Sequence, residues 1–99
     1  MVNSEGAILK AFDDYIKRFG GNYKLWYVGI AENARDRLFN DHKVKQQGGA
    51  WILDDAGSRT IAERIEKYFQ GLGAQGNPGG GSDKTTWVYA YKIEPYTME

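Results

Sequence analysis

Residues 25–30, Leu-Trp-Tyr-Val-Gly-Ile, carry no charged or amide side chain, and this run constrains the fold more than any other segment. Its aromatic and β-branched content suits a buried strand. Such a strand cannot stand alone, because backbone N–H and C=O groups buried without partners cost free energy comparable to a lost hydrogen bond. Two other segments can serve as strands. Residues 50–53 form a short apolar strand stopped by Asp54, Asp55, Ala56 and Gly57, and Thr85 to Ile93 alternates as a strand does.

Between them the periodicity is helical. Ile8, Leu9, Phe12, Tyr15, Ile16 and Phe19 recur at helical spacing, which predicts an amphipathic helix capped by Ser4 and ended by Gly20 and Gly21. Asn33 is placed to cap a second helix, with Asp36 in its first turn, running to about Val44. A third helix, capped by Ser58 or Thr60 and closed by Gly71 and Gly73, carries Ile61, Ile65, Tyr68, Phe69 and Leu72 on one face. The order α-β-α-β-α-β, with no repeat or linker to divide it, predicts one domain of mixed helix and strand over residues 1–99. A chain of 99 residues, 41% of them hydrophobic, can fill one core and not two.

Composition narrows the chemistry. With no cysteine there is no disulfide, thiolate zinc site or cysteine nucleophile. A single histidine excludes a multi-histidine metal site and leaves carboxylate-held magnesium or manganese. Thirteen basic residues balance thirteen acidic ones, so attraction to nucleic acid would have to come from a local patch. No stretch approaches the ~20 apolar residues that span a bilayer. The first residues also lack the basic and apolar segments of a signal peptide, so a cytoplasmic protein without membrane association is expected.

One series of residues links these elements to chemistry. Tyr27-Val28-Gly29 lies in the first strand, Arg37 follows ten residues after Tyr27 with Leu38 behind it, and Ala62 to Phe69 forms a helix that contains Glu66. Over roughly residues 24–72 the series resembles the second half of the GIY-YIG nuclease signature. The resemblance implies a GIY-YIG-like α+β fold, a small three-stranded, mainly antiparallel sheet flanked by three helices, and metal-dependent hydrolysis of phosphodiester bonds in DNA or RNA. In that scheme Tyr27 is, or assists, the proton acceptor, Arg37 clamps the scissile phosphate through its planar fork, and Glu66 holds magnesium or manganese. The plainer alternatives are a tyrosine with its hydroxyl at the core rim, an arginine paired with Asp41, and a carboxylate at the polar edge of an apolar stripe beside Ala62 and Phe69.

The Gly-Ile-Tyr strand that the family places before Tyr27 is absent, because that region holds the first helix. Trp87 to Ile93 can take its place beside Lys24 to Ile30, which would set Tyr89 or Tyr91 near Tyr27 and adds Tyr89 to the candidate catalytic residues. The histidine that many members carry on the arginine helix would fall at Asp41. His42 comes one residue later, between Leu38 and Phe39 on the helical wheel, where a packed neutral histidine is expected. Asn77 is the only candidate for the family's asparagine.

Arg35, Lys43 and Lys45, with Arg37, outline a candidate nucleic-acid-binding patch, but Asp36 and Asp41 dilute it and a solvated helix face is the favoured reading of such a mixed run. Residues 73–84 are glycine-rich. Asn77, Ser82, Lys84 and the run Gly79-Gly80-Gly81 could cradle a phosphate, but a strand rather than a helix follows, so a plain connection is expected. Trp26, Trp51 and Trp87 are expected to pack the core rather than stack bases. The alternative to a nuclease is a catalytically inactive module on the same scaffold that binds nucleic acid weakly or a protein partner.

Overall fold

The central strand of the sheet is the last one in the chain. The computed structural model describes residues 3–77 and 82–99. In it α1 spans Glu5–Arg18, β1 Trp26–Ala31, α2 Ala34–Asp36, β2 Trp51–Asp55, α3 Arg59–Gly71 and β3 Trp87–Lys92. The strand order is β1-β3-β2 and both pairings are antiparallel. The expected neighbour of β1 is therefore the observed one. Tyr27 lies opposite Tyr91 and Gly29 opposite Tyr89, while Trp51 and Leu53 of β2 face the same two tyrosines from the other side. The outer edge of β1 is also satisfied: Val28 N donates to Gln75 O at 2.9 Å and Gln75 N donates to Trp26 O at 2.8 Å.

Local signals set the helix starts. The side chains of Ser4, Asn33 and Ser58 accept from the amides of Ala7, Asp36 and Ile61, so Ser58 rather than Thr60 caps α3. Gly20 and Gly21, at φ 106° and 74°, turn the chain out of α1 in a region that side chains disfavour.

The two faces of the sheet bury different chemistry. On one, Trp26, Val28, Ile30, Val88 and Ala90 pack against Ile8, Phe12 and Ile16 of α1 and Ala62, Ile65 and Phe69 of α3. This is the apolar core, in which each large side chain contributes roughly 1.5–3 kcal/mol. On the other, Tyr27, Ala31, Tyr89 and Tyr91 pack against Ala34, Leu38 and Val44. Period-two alternation thus sends all three tyrosines to the side away from the long helices.

Three expectations are corrected. Strand β2 continues through Asp54 and Asp55, because β3 offers backbone partners at Val88 and Trp87. On α3 the buried residues are Ala62, Ile65, Glu66 and Phe69, whereas Tyr68 and Leu72 are exposed. The helix after Asn33 stops well short of Val44: α2 gives way to a π-helical turn, Arg37–Asp41, and Lys43 then takes a left-handed φ of 60°. The tryptophans pack against the two cores as expected, Trp26 fully buried in one and Trp51 and Trp87 half-buried against the other. Gly79, Gly80 and Gly81 lie outside the described residues. Among the described residues no helix is long and apolar enough to cross a membrane.

Gly29 is required by packing, not by backbone conformation. A Cβ there would stand 2.6 Å from the Tyr89 hydroxyl oxygen, and Tyr89 is buried and hydrogen-bonded to His42. Gly29→Ala is expected to lower stability by about 1–3 kcal/mol, the usual cost of overpacking. Urea unfolding followed by tryptophan fluorescence measures this; an unchanged midpoint would mean that the Tyr89 ring is free to move aside.

Candidate active site

The π-helical turn decides which side chains reach the tyrosines. Its closing bond runs from His42 N to Arg37 O at 2.8 Å, five residues back instead of four. One extra residue in the turn moves His42 into the place that an α-helix would give Asp41. His42 is buried, with Nε2 2.8 Å from the Tyr89 hydroxyl and Nδ1 2.6 Å from the Met98 carbonyl oxygen. Its ring lies 4.6 Å from that of Tyr27, which stacks on Tyr91 at 5.3 Å and faces Tyr89 at 6.3 Å.

A concavity of about 340 Å³ opens over Tyr27, Arg37, His42 and Asn77 and is walled by Asp41, Met98 and Glu99. Arg37 projects into it half-exposed and pairs with Asp41 at 3.2 Å, so the expected one-turn ion pair is present. Burial pushes the Tyr27 phenol up, against the lowering pull of Asn77 and Arg37, and Glu66 adds to the rise. Burial likewise raises Tyr89 and Tyr91, whereas it holds His42 below the ordinary histidine range.

Glu66 approaches this group from α3. Both Tyr27 and Tyr89 sense its charge, although Glu66 does not itself line the 340 Å³ concavity. It is 5% exposed. Among the described residues no hydrogen bond or ion pair holds its carboxylate. Among the described residues no fully buried side-chain oxygen lacks a partner, so the Glu66 oxygens keep contact with solvent. Burial, with Glu63 nearby, raises its pKa to about 7, against the smaller lowering effect of Lys67. A carboxylate with no hydrogen bond or ion pair to another described residue suits a hard divalent cation such as magnesium or manganese. Among the described residues no group of three or more His, Asp or Glu side chains could hold such an ion alone, so Glu66 would need substrate phosphate oxygens and water to complete its coordination.

Tyr27, Arg37, His42 and Asn77 thus line one concavity, Tyr89 and Tyr91 reach it through His42, and Glu66 lies outside it on α3, felt by Tyr27 and Tyr89 through its charge. The basic residues are more dispersed. Arg35 sits over the Trp51 ring at 5.8 Å and lines an adjoining concavity of about 300 Å³ with Glu32, Asn33, Leu53 and Trp87. Lys45 lies over the Tyr96 ring at 4.4 Å, and Lys43 is exposed. Comparison with known family models, curated proteins and solved structures returns no match.

The Glu66 shift has a defined sign. A folded-state pKa of about 7 against an ordinary 4.5 means that the folded protein binds more protons between those values. Stability therefore falls as pH rises through that window, by at most about 3 kcal/mol. Glu66→Gln should remove this slope in urea titrations from acid to neutral pH, and an identical slope in both proteins would contradict the assignment.

Proposed function

We propose that this chain is a metal-dependent nuclease that hydrolyses phosphodiester bonds in DNA or RNA. The observation that carries the reading is the convergence of Tyr27, Arg37, His42 and Asn77 on one concavity, with Tyr89 bonded to His42 and Glu66 sensed by both tyrosines. Phosphodiester hydrolysis needs a proton acceptor for the attacking water, a cation for the phosphate oxygens and stabilisation of the leaving oxygen. Each need has a matching group. The fit to the residue series that resembles GIY-YIG nucleases, including a strand supplied by the C-terminal segment, adds to the support.

Burial keeps both phenols neutral at neutral pH, so neither takes a proton unless its own can leave. Tyr89 has an exit, because its hydroxyl is 2.8 Å from His42 Nε2. As the water oxygen attacks phosphorus, its proton passes by way of the Tyr27 hydroxyl, which lines the concavity, to the buried Tyr89 oxygen while the Tyr89 proton passes to Nε2, and the bond to the leaving oxygen breaks. The leaving oxygen takes a proton from solvent and His42 releases one, which closes the cycle. Tyr27 also orients the water. Arg37 exchanges Asp41 for the phosphate, where its fork can bind two oxygens. Glu66 would hold magnesium or manganese, which when bound supplies positive charge at the phosphate and leaving oxygen. Arg35, Lys43 and Lys45 would meet the flanking backbone.

A second reading, a non-catalytic module that binds nucleic acid weakly or a protein partner, is favoured by the carboxylates of Asp41 and Glu99 in the same concavity. Cleavage assays separate the two. Plasmid and RNA are expected to be cut with magnesium or manganese, and Arg37→Ala and Glu66→Ala each to slow cleavage by at least about 100-fold while melting cooperatively. No cleavage by wild type across metals and substrates would leave the second reading. Lys43→Ala with Lys45→Ala is expected to weaken binding and flatten its salt dependence.

A further inference from the structure

The segment after β3 folds back onto His42 from both backbone directions. Met98 N donates to His42 O at 2.7 Å, and Met98 O stands 2.6 Å from His42 Nδ1. A turn in which Glu94 N donates to Thr97 Oγ1 and Thr97 N donates to Glu94 O precedes it, so the approach is built rather than incidental. A carbonyl oxygen only accepts, so the ring proton of a neutral His42 must sit on Nδ1. Nε2 is then a lone pair, and the Tyr89 hydroxyl, 2.8 Å away, must donate to it. The fourth group agrees: Tyr91 donates to Glu99 Oε2 at 3.0 Å, which leaves its oxygen lone pair facing Nδ1 at 3.1 Å. Every proton in the cluster has one consistent position.

We infer that Met98, through its carbonyl, is a positioning residue that locks His42 in the Nδ1–H tautomer, with Tyr91 and Glu99 reinforcing it, so that Nε2 is held ready to receive the Tyr89 proton. The opposite tautomer would set Nε2–H against the Tyr89 hydroxyl and reverse the direction of that hydrogen bond. The proton route would then be closed. The catalytic consequence rests on the nuclease reading above; the tautomer itself does not.

His42 is the only histidine in the chain, so ¹⁵N labelling of histidine reports this ring alone. In full-length protein at a pH where His42 is neutral, the expected spectrum shows a protonated Nδ1 and a pyridine-type Nε2. Met98→Pro removes the amide that anchors the segment to the His42 carbonyl, and should shift the ring toward the Nε2–H form. Cleavage should fall about tenfold, the scale of losing an outer partner of a functional imidazole, with the melting transition retained. Glu99→Gln keeps an acceptor for Tyr91 and is expected to keep the Nδ1–H signature. An Nε2–H ring in wild type overturns the inference, as does an unchanged tautomer in Met98→Pro. A tautomer change with undiminished cleavage overturns the positioning role. If wild type has the expected tautomer but cuts nothing, the tautomer assignment stands and the nuclease reading falls.

Discussion

Strand β1 is buried at all six of its positions, and a strand so enclosed must have its backbone paired along both edges. The rest of the molecule follows from that demand. One edge is met by β3, the other by the backbone of Gln75 after α3. Because β3 also binds β2, it becomes the axis of the sheet, and its alternating tyrosines land opposite Tyr27 and Gly29. The same pairing that satisfies the backbone therefore assembles the candidate site, and Gly29 is the place where the two requirements meet, since a side chain there would occupy the space of the Tyr89 ring.

The face that carries the tyrosines is unusual as a core. The opposite face is filled by aliphatic and phenyl groups, whereas this one buries phenols and an imidazole whose polar atoms are tied to one another and to the Met98 backbone. A buried polar network is sound only when each member is satisfied, and among the described residues no fully buried side-chain oxygen or nitrogen lacks a partner. The exception in kind is Glu66, which is nearly buried yet has no hydrogen bond or ion pair to another described residue. It occupies a position at which an apolar residue would stabilise α3, and its retention there is a local conflict of the sort that functional sites tolerate.

Much of this was legible in the sequence because it depends on local chemistry. Ser4, Asn33 and Ser58 announce their helices by a hydrogen bond three residues long, and the run from Trp87 to Tyr91 advertises a strand by alternation alone. The neighbour of β1 followed from counting available strands. What escaped was a matter of single residues. The π-helical turn inserts one residue between Arg37 and His42, and nothing in Arg-Leu-Phe-Asn-Asp marks it, since its cause is the packing of Leu38 and His42 against the sheet. Glu66 lies at the 62, 65, 66, 69 spacing of a buried stripe, but Tyr68 and Leu72 drew the apolar face a few tens of degrees away. Met98 and Glu99 act largely through backbone and distance, which no residue pattern encodes.

The central position of β3 also sets an order on assembly. Strands β1 and β2 do not pair with each other; among the described strands each pairs with β3, which follows both in the sequence, while the outer edge of β1 meets the backbone of Gln75. Until residues 87–92 arrive, the two earlier strands present open edges and the helices have only an incomplete surface to cover. The sheet therefore closes by insertion of its middle rather than by growth from one side. A chain interrupted before Trp87 loses the seam that joins its other parts, rather than a margin.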